Sequence, residues 1–110
     1  MVAHDWETMG ACVTDDVVRI GPYGDTYRGR TEYVAFIAGL LPTLPGYRMD
    51  VCRVVYADGK ALATAELSET IDTPNGPLRT PEALVFDLEP DGARIRHIAI
   101  YIQRQGGPEL

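Results

Sequence analysis

The sequence predicts an α+β domain in which helices pack on one face of a strongly curved, mainly antiparallel sheet that encloses a pocket. The elements are segregated, which is the first reason. Helix, strand and helix signals come early, and long strand signals fill the chain from Gly46 onward. Second, those strands are separated by short reversals at Asp58-Gly59, Thr73–Pro77 and Pro90-Asp91-Gly92, the punctuation of an antiparallel meander. Third, the final strand, Ala93–Arg104, has no plainly solvated face. Alternation puts Arg94, Arg96, Ile98, Ile100 and Ile102 in one row and Ile95, His97, Ala99, Tyr101 and Gln103 in the other. The second row mixes apolar, small and hydrogen-bonding groups, as a pocket wall requires, and is expected to face inward.

Residues 3–13 read as a short helix. Trp6, Met9 and Val13 share one face, and Asp5 and Glu7 lie near the N-terminal end, where the helix dipole favours acids. Thr14-Asp15-Asp16 punctuates, and Val17–Ile20 is a β-branched strand. Gly21–Asp25 is a turn-rich loop, followed by a short extended piece around Tyr27 that ends at Gly29. Thr31 is placed to cap a helix through Leu41, with Tyr33, Phe36, Ile37, Leu40 and Leu41 as its apolar stripe; Pro42 and Pro45 stop it. The strands are then Tyr47–Ala57, Lys60–Asp72, Leu78–Glu89 and the final run. Pro81 inside the third predicts a bulge or an unpaired stretch, and Gln105–Leu110 reads as a loose tail. The whole is one domain, residues 1–110, long enough for a single core and too short for two.

Composition narrows the function. A net charge of −6 with scattered arginines offers no basic stripe for nucleic acid or an anionic membrane. No apolar run approaches the ~20 residues of a membrane span, and no signal peptide is evident, so a cytoplasmic location is expected. Cys12 and Cys52 are far apart and match no metal spacing, which suits two half-buried thiols in a reducing compartment. His4, at the start of the first helix, is expected to be solvated. One usable histidine cannot build a zinc site, so neither a metal nor another cofactor is expected. There is no Gly-x-Ser-x-Gly around Ser68, and Gly21-Pro22-Tyr23-Gly24 has neither the spacing nor the lysine of a phosphate loop.

Several stretches together carry a resemblance. They are Ala3–Trp6, Thr14–Val17, Pro22, Gly24, Tyr27–Tyr33, Leu41–Pro45, Asp58-Gly59, Val85–Leu88, Asp91–Ile95 and Tyr101. In order and punctuation the chain resembles the nuclear-transport-factor-2-like superfamily, with SnoaL-like polyketide cyclases and ketosteroid isomerases as the nearer relatives. The resemblance implies a cone-shaped α+β barrel with a hydrophobic pocket. It also exposes departures. Relatives carry one or two more turns of first helix, with an oxyanion-binding tyrosine in the isomerases; here that stretch would lie before Met1, and a true start upstream would restore it. The isomerase base precedes the loop proline, where this chain has Gly21. The protonated aspartate of that oxyanion hole falls near Leu84 or Ala83. Steroid isomerisation by those groups is therefore not expected.

The remaining polar groups are the candidates. His97, in a row the resemblance places on the pocket floor, can act as acid or base near neutral pH. Glu82 alternates with the inward-reading Leu84, Phe86 and Leu88, where burial would raise its pKa. Arg19 shares parity with Gly21, so that its guanidinium suits a carboxylate or enolate oxygen. Either row of the 60–72 strand could be the inner one: Leu62, Thr64, Glu66 and Ser68, or Ala63, Ala65 and Leu67. Glu66 is thus a further ligand-binding candidate, with Trp6, Tyr23, Tyr33, Phe36, Phe86, Ala99 and Tyr101 as pocket walls; Tyr47 is another natural wall residue. With that row inward, Ile98, Ile100 and Ile102 would lie on the convex side, an apolar patch that predicts a homodimer through the sheets. The expected ligand is a hydrophobic, oxygen-bearing molecule of polyketide, terpenoid or steroid type. It would be isomerised, cyclised or dehydrated by cofactor-free acid–base chemistry, or else bound without reaction.

Overall fold

A computed structural model describes residues 5–103; His4 and the tail Gln105–Leu110 lie outside the described residues. Asp5 caps helix α1 (Trp6–Ala11), its carboxylate accepting from the Thr8 backbone N–H at 3.0 Å. Strand β1 (Val13–Ile20) follows at once, so Thr14-Asp15-Asp16 belongs to a strand and is not a break. The irregularity appears instead as a register shift between Val13 and Val18. After the Gly21–Asp25 turn, β2 (Thr26–Arg28) pairs back on β1. Helix α2 (Arg30–Leu40) starts after Gly29, whose φ of +88° is left-handed backbone that glycine adopts freely. Gly29, and not Thr31, is therefore its N-cap. Pro42 converts its end into a tight turn over Leu41–Thr43.

The meander consists of β3 (Arg48–Ala57), β4 (Leu62–Thr73), β5 (Gly76–Leu88) and β6 (Ile95–Ile102). The six-stranded sheet has the order β2-β1-β6-β5-β4-β3, with only β1–β6 parallel. It is curved and open, with the helices on its concave side, the expected α+β architecture. β4 and β5 pair without a slip from Leu62↔Asp87 to Thr73↔Gly76. Pro81 therefore makes no bulge. Its carbonyl accepts from the Gln103 N–H at 2.8 Å, on the side facing away from β4. Its missing donor consequently falls where the β6 ladder ends, at Glu82↔Ile102, and costs no β4 bond. β3 is the outer edge, exposed along its whole length, with a register break at Cys52, between Val51 and Arg53.

The two faces of β6 are the reverse of the expected ones. Pairing runs Leu88↔Ile95, then Asp87↔His97, which leaves Arg96 as an extra residue. Ile95 is thereby brought to the same face as Ile98 and Ile100, opposite Phe86 and Leu84 on β5. That row carries far more apolar surface than His97, Ala99 and Tyr101, so it takes the helix-covered face. Ile98 is 3% exposed and Tyr101 61%. Ile98, Ile100 and Ile102 thus face the helix-covered side of the sheet and not the convex side expected for them. No described helix is long and apolar enough to cross a membrane.

Candidate active site

Between α2 and the sheet lies a hollow of two adjoining compartments. The inner one, about 210 Å³, is walled by Ile98, Ile100, Leu84, Phe86, Leu67 and Tyr33, among others. The outer one, about 270 Å³, opens past Pro22, Tyr23, Leu40, Leu44 and Leu78. Both are bordered by Arg19, Tyr47, Glu69 and Glu82, together with Ile37 and Leu41. The polar groups thus form a waist between two apolar spaces.

The sheet register explains why they meet. Glu82 follows the Leu84–Phe86 row inward, and Leu67↔Glu82 and Glu69↔Thr80 place Glu69 diagonally beside it on the same face. Arg19 pairs in register with Ile98 on β1 and so shares that face. Tyr47 immediately precedes β3, and its hydroxyl donates to Glu69 Oε2. The two carboxyl groups are hydrogen-bonded to each other. Burial pushes the Glu82 pKa up to about 8, helped by the hydrogen bond and the charge of Glu69 and opposed by Arg19. The Tyr47 hydroxyl is pushed up as well, first by burial and then by Glu69. Tyr33 is raised by burial against the pull of Arg19. At neutral pH, Glu82 is thus a neutral acid beside a hydrogen-bond acceptor.

Arg19 is 8% exposed. Its guanidinium stacks 4.9 Å from the centroid of Phe36, which itself stacks on Tyr27 at 3.9 Å. Its ion pair with Asp25 is long, 3.5 Å. Asp25 occupies the space beside Gly21, where a Cβ would run into its carboxylate oxygens. The space a side chain at position 21 would need is therefore filled by an acid committed to Arg19. Leu84 faces the hollow as an apolar wall.

Of the sequence candidates, Glu82, Arg19, Tyr33 and Phe86 come together at the hollow, and Tyr23, 86% exposed, stands at its mouth. Phe36 lies behind Arg19 as its stacking partner. His97 and Ala99 are on the opposite face, with His97 Nδ1 3.8 Å from Asp87. Tyr101 lies there too, and so does Glu66, held by Arg53 at 2.7 Å, which pulls its pKa down. Trp6 faces a groove of about 710 Å³ between α1 and α2. That groove is larger than the hollow, but its arginines are engaged locally, Arg30 with Asp15 and Arg94 with Glu89. Glu69 and the role of Tyr47 escaped sequence reasoning. The signal was the Ala63-Ala65-Leu67 row, which Glu69 continues once that row is known to face inward. Among the described residues, no three His, Cys, Asp or Glu side chains gather in a metal-binding group.

The sequence profile of SnoaL-like domains matches residues 1–98. The chain belongs to this family. SnoaL-like architecture also accounts for its similarity to solved structures. A protein with a ketosteroid isomerase-like fold from Catenulispora acidiphila DSM 44928, solved with trimethylamine, superposes with a TM-score of 0.76 at 16% identity, covering 90% of this chain and 75% of that one. A candidate SnoaL-like polyketide cyclase from Shewanella denitrificans OS-217 gives 0.76 at 13% identity, covering 91% and 79%. SalBIII, an epoxide hydrolase/cyclase-like enzyme with a role in pyran ring formation in the polyether salinomycin, gives 0.74 at 13% identity, covering 90% and 78%. At such identities these likenesses establish the fold alone. No curated protein matches the chain by sequence.

Proposed function

We propose that this SnoaL-like chain is a small-molecule pocket protein that carries out cofactor-free acid–base chemistry on a hydrophobic, oxygen-bearing ligand. The reaction would be an isomerisation, cyclisation or dehydration. The observation that carries this reading is the hydrogen-bonded pair Glu69–Glu82 beside buried Arg19 at the waist of an apolar hollow. Glu82, protonated at pH 7, gives its proton to the ligand oxygen. Glu69, oriented by Tyr47, receives a proton from carbon or hydroxyl. Arg19 stabilises the negative charge that develops between them.

A test uses the ketone β-tetralone in D2O, following exchange of the protons next to its carbonyl by NMR. The wild-type protein is expected to accelerate exchange, and Glu82→Gln or Glu69→Gln to reduce the acceleration by about 10²–10⁴-fold. Acceleration unchanged in both variants would overturn the assignment. The second reading, a binding module without chemistry, is favoured by Gly21 and by Leu84 or Ala83 standing where the resemblance puts catalytic acids. It predicts that the ketone binds with exchange no faster than in buffer.

A further inference from the structure

The acid pair and the arginine do not sit at the bottom of the hollow. They border both compartments, and beyond them the inner space is walled mainly by Met9, Leu84, Phe86, Ile95, Ile98 and Ile100, with Tyr33 the one wall residue there that carries a hydroxyl. On the other side, the outer space runs past Leu44, Ile71 and Ile102 to a rim of Tyr23, Leu40 and Leu78, all exposed. A ligand with a terminal acid or aldehyde could place its oxygen at this waist only by leaving one compartment empty. A ligand with oxygen in mid-chain fills both. Exposed apolar side chains gathered at one cavity mouth also signal a surface meant to be covered.

Building on the acid–base reading above, we infer that the substrate class is a molecule whose reacting oxygen is internal, a ketone, enone or ether oxygen flanked on both sides by hydrocarbon. One arm enters the inner compartment and the other lies along the Tyr23–Leu40–Leu78 rim. Discrimination between positional isomers follows from burial. Shifting the oxygen to the chain end withdraws several methylenes from one compartment and leaves its apolar wall uncovered.

The experiment titrates the full chain, labelled at isoleucine and leucine methyls, with 5-decanone and 2-decanone, which share a formula and differ only in carbonyl position. 5-Decanone is expected to bind at least about tenfold more tightly. It should shift the methyls of Ile98 and Ile100 together with those of Leu40 and Leu78. Leu78→Ser, an exposed rim change, should weaken 5-decanone and leave cyclohexanone, which fits the inner compartment alone, unaffected. Equal affinity for the two decanones overturns the inference, as do shifts confined to the inner methyls; both leave the acid–base reading standing. If none of the three ketones moves any methyl of the hollow, the acid–base reading falls and the inference falls with it.

Discussion

The Tyr47 hydroxyl donates to Glu69 Oε2, and Glu69 in turn is hydrogen-bonded to Glu82, so the three side chains form one chain at the waist of the hollow. Glu82 holds its proton at neutral pH chiefly because it is buried, with the hydrogen bond and charge of Glu69 adding to the effect and Arg19 opposing it.

The titration of Glu82 follows directly. In the 13C spectrum of its side-chain carboxyl, the midpoint is expected near 8. Glu69→Gln removes the charge and alters the hydrogen bond that raise it, so the midpoint should fall. It should stay above the ordinary value of 4.5, because burial, the largest cause, is untouched. A midpoint unmoved by Glu69→Gln would show that the two groups do not interact.

Stability should carry the same signature. Below the ordinary value of 4.5, Glu82 is protonated whether the chain is folded or not. Between 4.5 and about 8 the unfolded chain has released the proton while the folded one retains it, so unfolding releases a proton and is favoured as pH rises. The contribution of Glu82 therefore declines across that window and is flat above it. Thermal unfolding from pH 5 to 9 should show Tm falling more steeply in the wild type than in Glu82→Gln. Parallel profiles would refute the linkage.

The orientation of β6 is tested by a pair of substitutions one residue apart. Ile98→Ala opens space in the wall of the hollow and should cost about 2–4 kcal/mol. His97→Ala, on the opposite face beside a partly exposed Asp87 at 3.8 Å, should stay within about 0.5 kcal/mol. Urea denaturation measures both, and the opposite ranking would reverse the assignment of the faces.

Gly21 is required by its neighbour. Gly21→Ala sets a methyl against the Asp25 carboxylate and should destabilise by about 1–3 kcal/mol. Asp25→Ala removes the obstacle at the expense of the Arg19 ion pair. The double variant should therefore cost less than the sum of the two single ones. Strict additivity would mean that the two side chains do not compete for space.

The topology was legible because turn chemistry announces itself: Asp58-Gly59 and Pro90-Asp91-Gly92 mark reversals, and Pro42 marks the end of a helix. Glu82 was legible because the Leu84-Phe86-Leu88 row fixed its parity without interruption. The face of His97 and Tyr101 is not legible, because period-2 alternation is ambiguous when both rows look inward and Arg96 adds a residue that local pattern does not reveal. Glu69 stayed hidden for the same reason: which row of β4 faces inward depends on what β5 pairs with it. Arg19 was found by parity alone, whereas its stacking on Phe36 depends on how α2 lies across the sheet.

The rim of the sheet at β3 offers ten residues of open backbone with Met49, Val51, Val54, Val55 and Tyr56 exposed on it, a surface on which a stray strand could grow. The break at Cys52 and the charges of Asp50 and Arg53 beside it interrupt any such growth midway. Cys52, Asp50 and Arg53 do not line the hollow, yet their place on this edge works against one molecule seeding the next.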